Sequence, residues 1–282
     1  MKRSFCLGSE WLYYKIYSGV KTADTILEKL HPIINNLIEQ NVVSKWFFIR
    51  YRDPEDHLRL RFFSDSSEKT SQIIESLYPT LNELVETDLI WKLQTDTYHR
   101  ELERYGESTI ELSESLFFYD SEMIVNYLSL QPYIEDNKTE LFFSFLAIDR
   151  FMNSFSLTNT EKLALLDELQ LSFKSEFNAD KNLKKELDKH YRELASEMES
   201  FLNLTIDADY SELILLVKEK ENKMTSLAPI IKETIEISLF GFIQSHIHMM
   251  INRQYISKQR KYECLIYDHL HRYYKMKVFK EQ

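Results

Sequence analysis

The 282 residues are 44% hydrophobic, 13% aromatic and 28% charged, with a formal net charge of −10. That composition builds a core and excludes wholesale disorder. The acidic balance argues against a general nucleic-acid-binding surface, although a local basic patch stays open. The four glycines (Gly8, Gly19, Gly106 and Gly241) do not cluster, which excludes a Gly-rich phosphate loop or dinucleotide fingerprint. With only five prolines as well, many-turned sandwiches and propellers are disfavoured. Cys6 and Cys264 lie at opposite ends and support neither a disulfide framework nor a thiolate zinc site. No apolar stretch follows Met1-Lys2-Arg3-Ser4, and no run of about 18 apolar residues occurs. The expectation is a cytoplasmic protein without a secretory signal or spanning helix.

In chain order, Trp11 to Tyr17 is aromatic and β-branched and reads as a strand. Ala23 to Gln40 repeats apolar residues at helical spacing, with a kink expected at Pro32. Lys45–Arg52 and His57–Phe63 read as two strands around Asp53-Pro54-Glu55-Asp56, a hairpin loop by residue type. Glu68–Val85 reads as a second helix and Leu89–Tyr98 as a fourth strand. The order β-α-β-β-α-β is that of a ferredoxin-like unit. From Glu107 onward the pattern is helical. Thr158-Asn159-Thr160-Glu161 has the form of a capping box, Asp180–Leu202 is helical, and the stretch from Ser211 is broken near Pro229, with a bend at Gly241. The predicted fold class is α+β, with a mixed region over 1–106 packed against a larger helical region over 107–282. No linker separates them, so one shared core is expected.

Three clusters could carry chemistry. With a four-residue loop, Arg52 lies opposite His57 and Arg50 opposite Arg59, which places Arg50, Arg52, His57, Arg59 and Arg61 on one face of the hairpin. Facing like charges destabilise a sheet by about 0.2–1 kcal/mol per pair, so this face needs anions. They could be Asp or Glu from a packing helix, or a bound carboxylate or phosphate, which arginine's fork suits. The second cluster is Tyr98, Arg100, Glu101 and Arg104; Glu101 and Arg104 are three apart and share a face on a helical turn, as a solvated ion pair also would. The third is Ser245, His248, Asn252 and Arg253. Ser245, His248 and Asn252 fall on one helical stripe, where Ser and Asn could fix the histidine's tautomer or simply satisfy it inside a packing surface. His246 and His248 point apart on a helix and make no metal pair.

Taken together, these segments resemble a known family. The pieces are Trp11-Leu12-Tyr13-Tyr14-Lys15-Ile16-Tyr17, Trp46-Phe47-Phe48-Ile49-Arg50-Tyr51 with Asp53-Pro54, and His57-Leu58-Arg59-Leu60-Arg61. Then come Asp96-Thr97-Tyr98-x-Arg100-Glu101-x-x-Arg104-Tyr105-Gly106 and Ser245-x-x-His248-Met249-x-x-Asn252-Arg253. In this order they resemble the small, glutamate-elimination domain of lantibiotic dehydratases, a family shared with thiopeptide-type bacteriocin biosynthesis proteins. Glu107 departs from it, standing where the family often has a second glycine.

The resemblance implies elimination of glutamate from glutamylated Ser or Thr of a precursor peptide, leaving dehydroalanine or dehydrobutyrine. It implies catalytic roles for Arg59, Arg61, Glu101, Arg104 and His248. Arg50, Arg52, His57, Tyr98, Arg100, Ser245, Asn252 and Arg253 would bind substrate. No metal and no organic cofactor are expected. The chain would act as a stand-alone subunit beside a separate glutamyl-tRNA-dependent glutamylation subunit, with no direct nucleic-acid contact; a homodimer is compatible by analogy. Two other readings remain: a [4+2] cycloaddition forming a pyridine in a thiopeptide pathway, and a non-catalytic peptide-binding subunit. Retention of the five catalytic residues together favours elimination.

Overall fold

The computed structural model describes residues 1–134, 138–177, 180–205 and 210–281. Two compact units form. One comprises Met1–Gln131, Thr234–Ile237 and Asn252–Ser257; the other comprises Pro132–Glu233, Ser238–Ile251 and Lys258–Gln282. The boundary expected at residue 106 therefore falls inside the first unit.

The first unit runs β1 (Ser4–Phe5), β2 (Trp11–Ser18), α1 (Thr22–Glu39), β3 (Lys45–Arg52), β4 (Asp56–Phe63), α2 (Ser67–Glu86), β5 (Ile90–Thr95), β6 (Tyr98–His99), α3 (Leu102–Tyr105) and α4 (Ile110–Leu130). β2 to β5 make a four-stranded antiparallel sheet in the order β3-β4-β2-β5. α1 continues through Pro32. β5 ends at Thr95, short of the expected Tyr98. There the Asp96 carboxylate accepts the Thr97 N–H at 2.7 Å and pairs with Lys15, and Tyr98–His99 turns away to pair with β1.

One sheet face is apolar and buried: Leu12, Tyr14, Ile16, Trp46, Phe48, Leu58, Leu60 and Phe62. His31 of α1 lies 6.0 Å from the Trp46 ring, and both reach Glu122 of α4. The outer edge of β3 is sealed by side chains. Ser121 of α4 accepts the Phe48 N–H at 3.2 Å, and Arg253 Nε donates to the Phe48 carbonyl at 2.8 Å. The Asn252 amide accepts from the Arg50 N–H at 3.0 Å and donates to the Arg50 carbonyl at 2.9 Å, standing in for a neighbouring strand. Asn252→Ala would strip both groups of their partner, and we expect it to cost about 1–3 kcal/mol in chemical denaturation.

The register of the hairpin differs from expectation. Asp56 joins the ladder opposite Arg52, so only three residues form the turn, and Tyr51 pairs with His57, Ile49 with Arg59 and Phe47 with Arg61. A one-residue slip flips every side chain of one strand relative to the other. Arg50 and Arg52 accordingly lie on the opposite face from His57, Arg59 and Arg61. This register aligns Trp46 with Phe62 and Phe48 with Leu60 and so completes the apolar face.

The second unit is helical: α5 (Thr139–Ser154), α6 (Asn159–Glu176), α7 (Lys181–Leu202), α8 (Ser211–Met224), α9 (Leu227–Thr234), α10 (Leu239–Gln254) and α11 (Gln259–Lys280), with the last residues of α9 and α10 assigned to the first unit. Thr158 and Glu161 close the expected capping box on α6. Pro229 sits in the first turn of α9, where a missing N–H costs nothing, and the break falls before it at Thr225–Ser226. Gly241 lies within the first turn of α10.

Candidate functional site

In the first unit the sheet face away from the apolar core carries Tyr13, Lys15 and Tyr17 of β2, Phe47, Ile49 and Tyr51 of β3, and His57, Arg59 and Arg61 of β4. Arg61 lies opposite Tyr13 and is only 7% exposed. Its guanidinium carbon sits 4.4 Å from the Tyr13 ring centre, 4.8 Å from Tyr98 and 5.2 Å from Phe47. Ring faces offer a cation some compensation, though less than a carboxylate. Its Nε finds no hydrogen-bond partner, and neither Arg59 nor Arg61 has a carboxylate within ion-pair distance among the described residues. Burial pulls the Arg61 pKa below its ordinary value, Tyr13, Tyr98 and the more distant Glu101 oppose that, and neighbouring Arg59 adds to it. Arginine stays charged through such a shift, so Arg61 is a buried cation with no carboxylate of the described residues within ion-pair distance. Arg59 lies 3.3 Å over the Tyr51 ring, and its Nε donates to His57 Nε2 at 3.2 Å.

The other arginines of the sequence reading are committed elsewhere. Arg50 pairs with Asp24 of α1 and donates to the Arg253 carbonyl at 2.9 Å. Arg100 grips the buried Glu114 of α4 with two bonds, of 2.7 and 2.8 Å. Arg253 pairs with buried Asp120 at 2.9 Å. These three are spent on internal partners that hold the unit together, and Asn252 seals β3. Arg52 is exposed on the far face. Tyr98 donates its hydroxyl to Glu114 at 3.0 Å and contributes its ring to the Arg61 cage. His57 is buried and bonded to Arg59 rather than open to a ligand. Glu101 and Arg104 form an exposed pair at 3.3 Å. Gly106, at φ +78°, ends that turn where an added Cβ would meet Thr109 Oγ1 at 2.6 Å, which accounts for glycine there.

In the second unit, His248 of α10 is part-exposed and its Nδ1 lies 2.6 Å from Glu263 of α11. Glu263 is 1% exposed and also accepts from Arg260 Nη1 at 2.9 Å and the Tyr267 hydroxyl at 3.2 Å. A carboxylate holding an arginine is an acceptor, so His248 Nδ1 carries a proton, and in the neutral ring Nε2 is the nitrogen that presents a lone pair. Ser245 takes no part in this, since its hydroxyl donates to the Gly241 carbonyl at 2.8 Å. Glu263 was not singled out in the sequence. Its only signal there is a carboxylate among the apolar, helically spaced positions Cys264, Ile266 and Tyr267. Among the described residues no group of three or more His, Cys, Asp or Glu is placed to hold a metal ion.

The fold is that of a lantibiotic dehydratase. The tRNA dependent lantibiotic dehydratase MibB from Microbispora sp. 107891 matches at TM-score 0.77 and 18% identity, over 99% of this chain and 29% of that one. TsrL matches at TM-score 0.65 and 12% identity (96% and 95% covered), and TbtD, the pyridine synthase from thiomuracin biosynthesis, at 0.60 and 12% (95% and 100%). In sequence, residues 11–274 match the family described as Lantibiotic biosynthesis dehydratase C-term, and the chain belongs to that family. It is 30% identical over 267 residues to the nisin biosynthesis protein NisB of Lactococcus lactis subsp. lactis, covering 94% of this chain and 25% of NisB. It is 27% identical over 250 residues to the subtilin biosynthesis protein SpaB of Bacillus subtilis, covering 86% and 23%. The chain thus spans about a quarter of the length of these curated relatives.

Proposed function

We propose that this chain eliminates glutamate from glutamylated Ser or Thr residues of a precursor peptide. A base takes the α-proton of the modified residue, its electrons form the Cα=Cβ bond, the Cβ–O bond breaks, and glutamate leaves as a carboxylate. The observation that carries this reading is Arg61, a buried cation with no carboxylate of the described residues within ion-pair distance, beside Arg59, whose terminal nitrogens have no such partner among them either. A departing carboxylate supplies the missing charge where it develops. His248, oriented by Glu263, is the base under this reading. Arg104, held by Glu101, is a further cation for the substrate's carboxylates.

The glutamylated peptide then comes from a separate glutamyl-tRNA-dependent activity, and the reaction belongs to the cytoplasm. The first sheet, antiparallel with order β3-β4-β2-β5, is on our reading a ferredoxin-like unit.

The test is a synthetic peptide glutamylated on serine, followed by mass. Loss of one glutamic acid per site, abolished by His248→Ala and by Arg61→Met, is the expected outcome. A persistent glutamyl adduct on a folded protein overturns the reading. One observation favours a second: TsrL and TbtD are matched over almost their whole lengths. Macrocycle formation from a dehydroalanine-rich peptide, without glutamate loss from the first substrate, would favour pyridine synthesis instead.

A further inference from the structure

We propose that His57, held as its neutral Nδ1–H tautomer, is a positioning residue that sets the guanidinium of Arg59 for a carboxylate. This rests on the reading that Arg59 holds the leaving glutamate. His57 is 4% exposed, and its Nδ1 lies 2.9 Å from the Glu55 carbonyl oxygen. A carbonyl only accepts, so Nδ1 carries a proton. Arg59 Nε lies 3.2 Å from His57 Nε2, and an arginine nitrogen only donates, so Nε2 carries the lone pair. Both ends of the ring therefore specify one neutral tautomer.

The ring is packed against Tyr17, with centres 4.7 Å apart, and Tyr51, at 5.6 Å. Arg59 is thus fixed twice. The bond from His57 sets the direction of its Nε, and the Tyr51 ring 3.3 Å away sets its plane. The two terminal nitrogens stay unspent on any carboxylate of the described residues, in the fork that grips a carboxylate with two bonds. A fork held in advance loses less freedom on binding.

The arrangement is pH-sensitive in one direction. The groups that face His57 are Lys15 and Tyr17 of β2, Tyr51 of β3, Asp53 and the Glu55 carbonyl of the turn, and Arg59 of β4; Lys92 of β5 lies over the Tyr17 ring. Burial most of all lowers the histidine's pKa; the Glu55 carbonyl and Asp53 oppose this, and Arg59 and Lys15 reinforce it. His57 is therefore neutral at and above the ordinary histidine range, about 6.5. As pH falls through its lowered value, Nε2 gains a proton, two donors face each other, and Arg59 is released. The unfolded chain takes up that proton first, so folding stability falls as pH drops from about 6.5 toward that lowered value.

The test is the ¹⁵N spectrum of the Arg59 Nε–H in the full chain, assigned by its loss in Arg59→Lys, between about pH 5 and 8. A protected signal is expected at neutral pH. It should vanish toward acid and in His57→Phe, which keeps a ring but no acceptor. His57→Gln places an amide oxygen where Nε2 was and cannot titrate, so it should recover the signal and remove the acid limb. With L-glutamate as probe, the Arg59 signal should shift in the parent and in the Gln variant. In turnover of the glutamylated peptide, kcat/KM should fall about tenfold in the Phe variant and be largely rescued by Gln. A signal that is insensitive to pH and to His57→Gln and His57→Phe overturns the inference even if elimination proceeds. The expected spectral pattern without any elimination leaves the positioning role standing and overturns the elimination reading alone.

Discussion

Arg61→Met is expected to leave the fold at least as stable as the parent while reducing glutamate elimination by about two to three orders of magnitude. The two effects have one cause. Arg61 is desolvated among Tyr13, Phe47 and Tyr98, with no carboxylate of the described residues within ion-pair distance to offset the loss of water. Replacing a buried ionic group by an apolar side chain of similar length is often neutral or stabilising. Methionine fills most of the same space and leaves no orphaned donor. The charge that strains the folded protein is what would stabilise a carboxylate as its bond to Cβ breaks. In a dry, ring-lined site that stabilisation is larger than in water. Thermal unfolding and single-turnover loss of glutamic acid measure the two halves separately. A Met variant destabilised by more than about 2 kcal/mol would make Arg61 a structural residue with a partner still to be found. A stable and fully active variant would remove it from the reaction.

Arg100→Met makes the contrast. Its guanidinium is satisfied by Glu114, so its loss would leave that carboxylate buried alone, at about 3–5 kcal/mol. The two arginines look alike in the sequence. What separates them is the residue each meets, and for Arg100, in the loop after β6, that residue lies fourteen positions away on α4. Arg50 with Asp24 and Arg253 with Asp120 repeat the point over longer separations. Such partners are fixed by helix packing, which strand periodicity does not encode. The strands themselves were legible because Leu58, Leu60 and Phe62 alternate with His57, Arg59 and Arg61 at a period of two, and because Trp46-Phe47-Phe48-Ile49 is an aromatic and β-branched run. Their register was not legible, because Asp53-Pro54-Glu55-Asp56 suits a loop of either four residues or three plus a ladder pair. That one step decides whether Arg50 faces Arg59 or Asp24. On the C-terminal side His248 was legible as a residue type on a helical stripe. The residue that orients it was not, since Glu263 comes from the next helix while the stripe neighbour Ser245 turns back to its own backbone.

Glu263→Gln is expected to reduce elimination by about three orders of magnitude without loss of fold, as tautomer-disrupting amides do in histidine–carboxylate pairs. The amide has one oxygen and one NH2 where the carboxylate had two acceptors. Arg260 offers only donors and faces Oε2, so the amide oxygen is drawn to that side. The NH2 then points at His248 and Tyr267. The tyrosine hydroxyl can reverse and accept, but His248 can meet an N–H only by presenting a lone pair at Nδ1. Its proton moves to Nε2, and the nitrogen that would take the substrate's α-proton no longer has a lone pair. Raising the pH does not restore it, because the exchanged proton belongs to a neutral ring. Removing the constraint should. In Glu263→Gln with Arg260→Met the amide is free to turn its oxygen back to His248, so part of the lost rate is expected to return even though a second charge has been deleted. A double variant no faster than Glu263→Gln alone would show that Glu263 acts on His248 by its charge and not by fixing its tautomer. A single variant as active as the parent would remove His248 as the base.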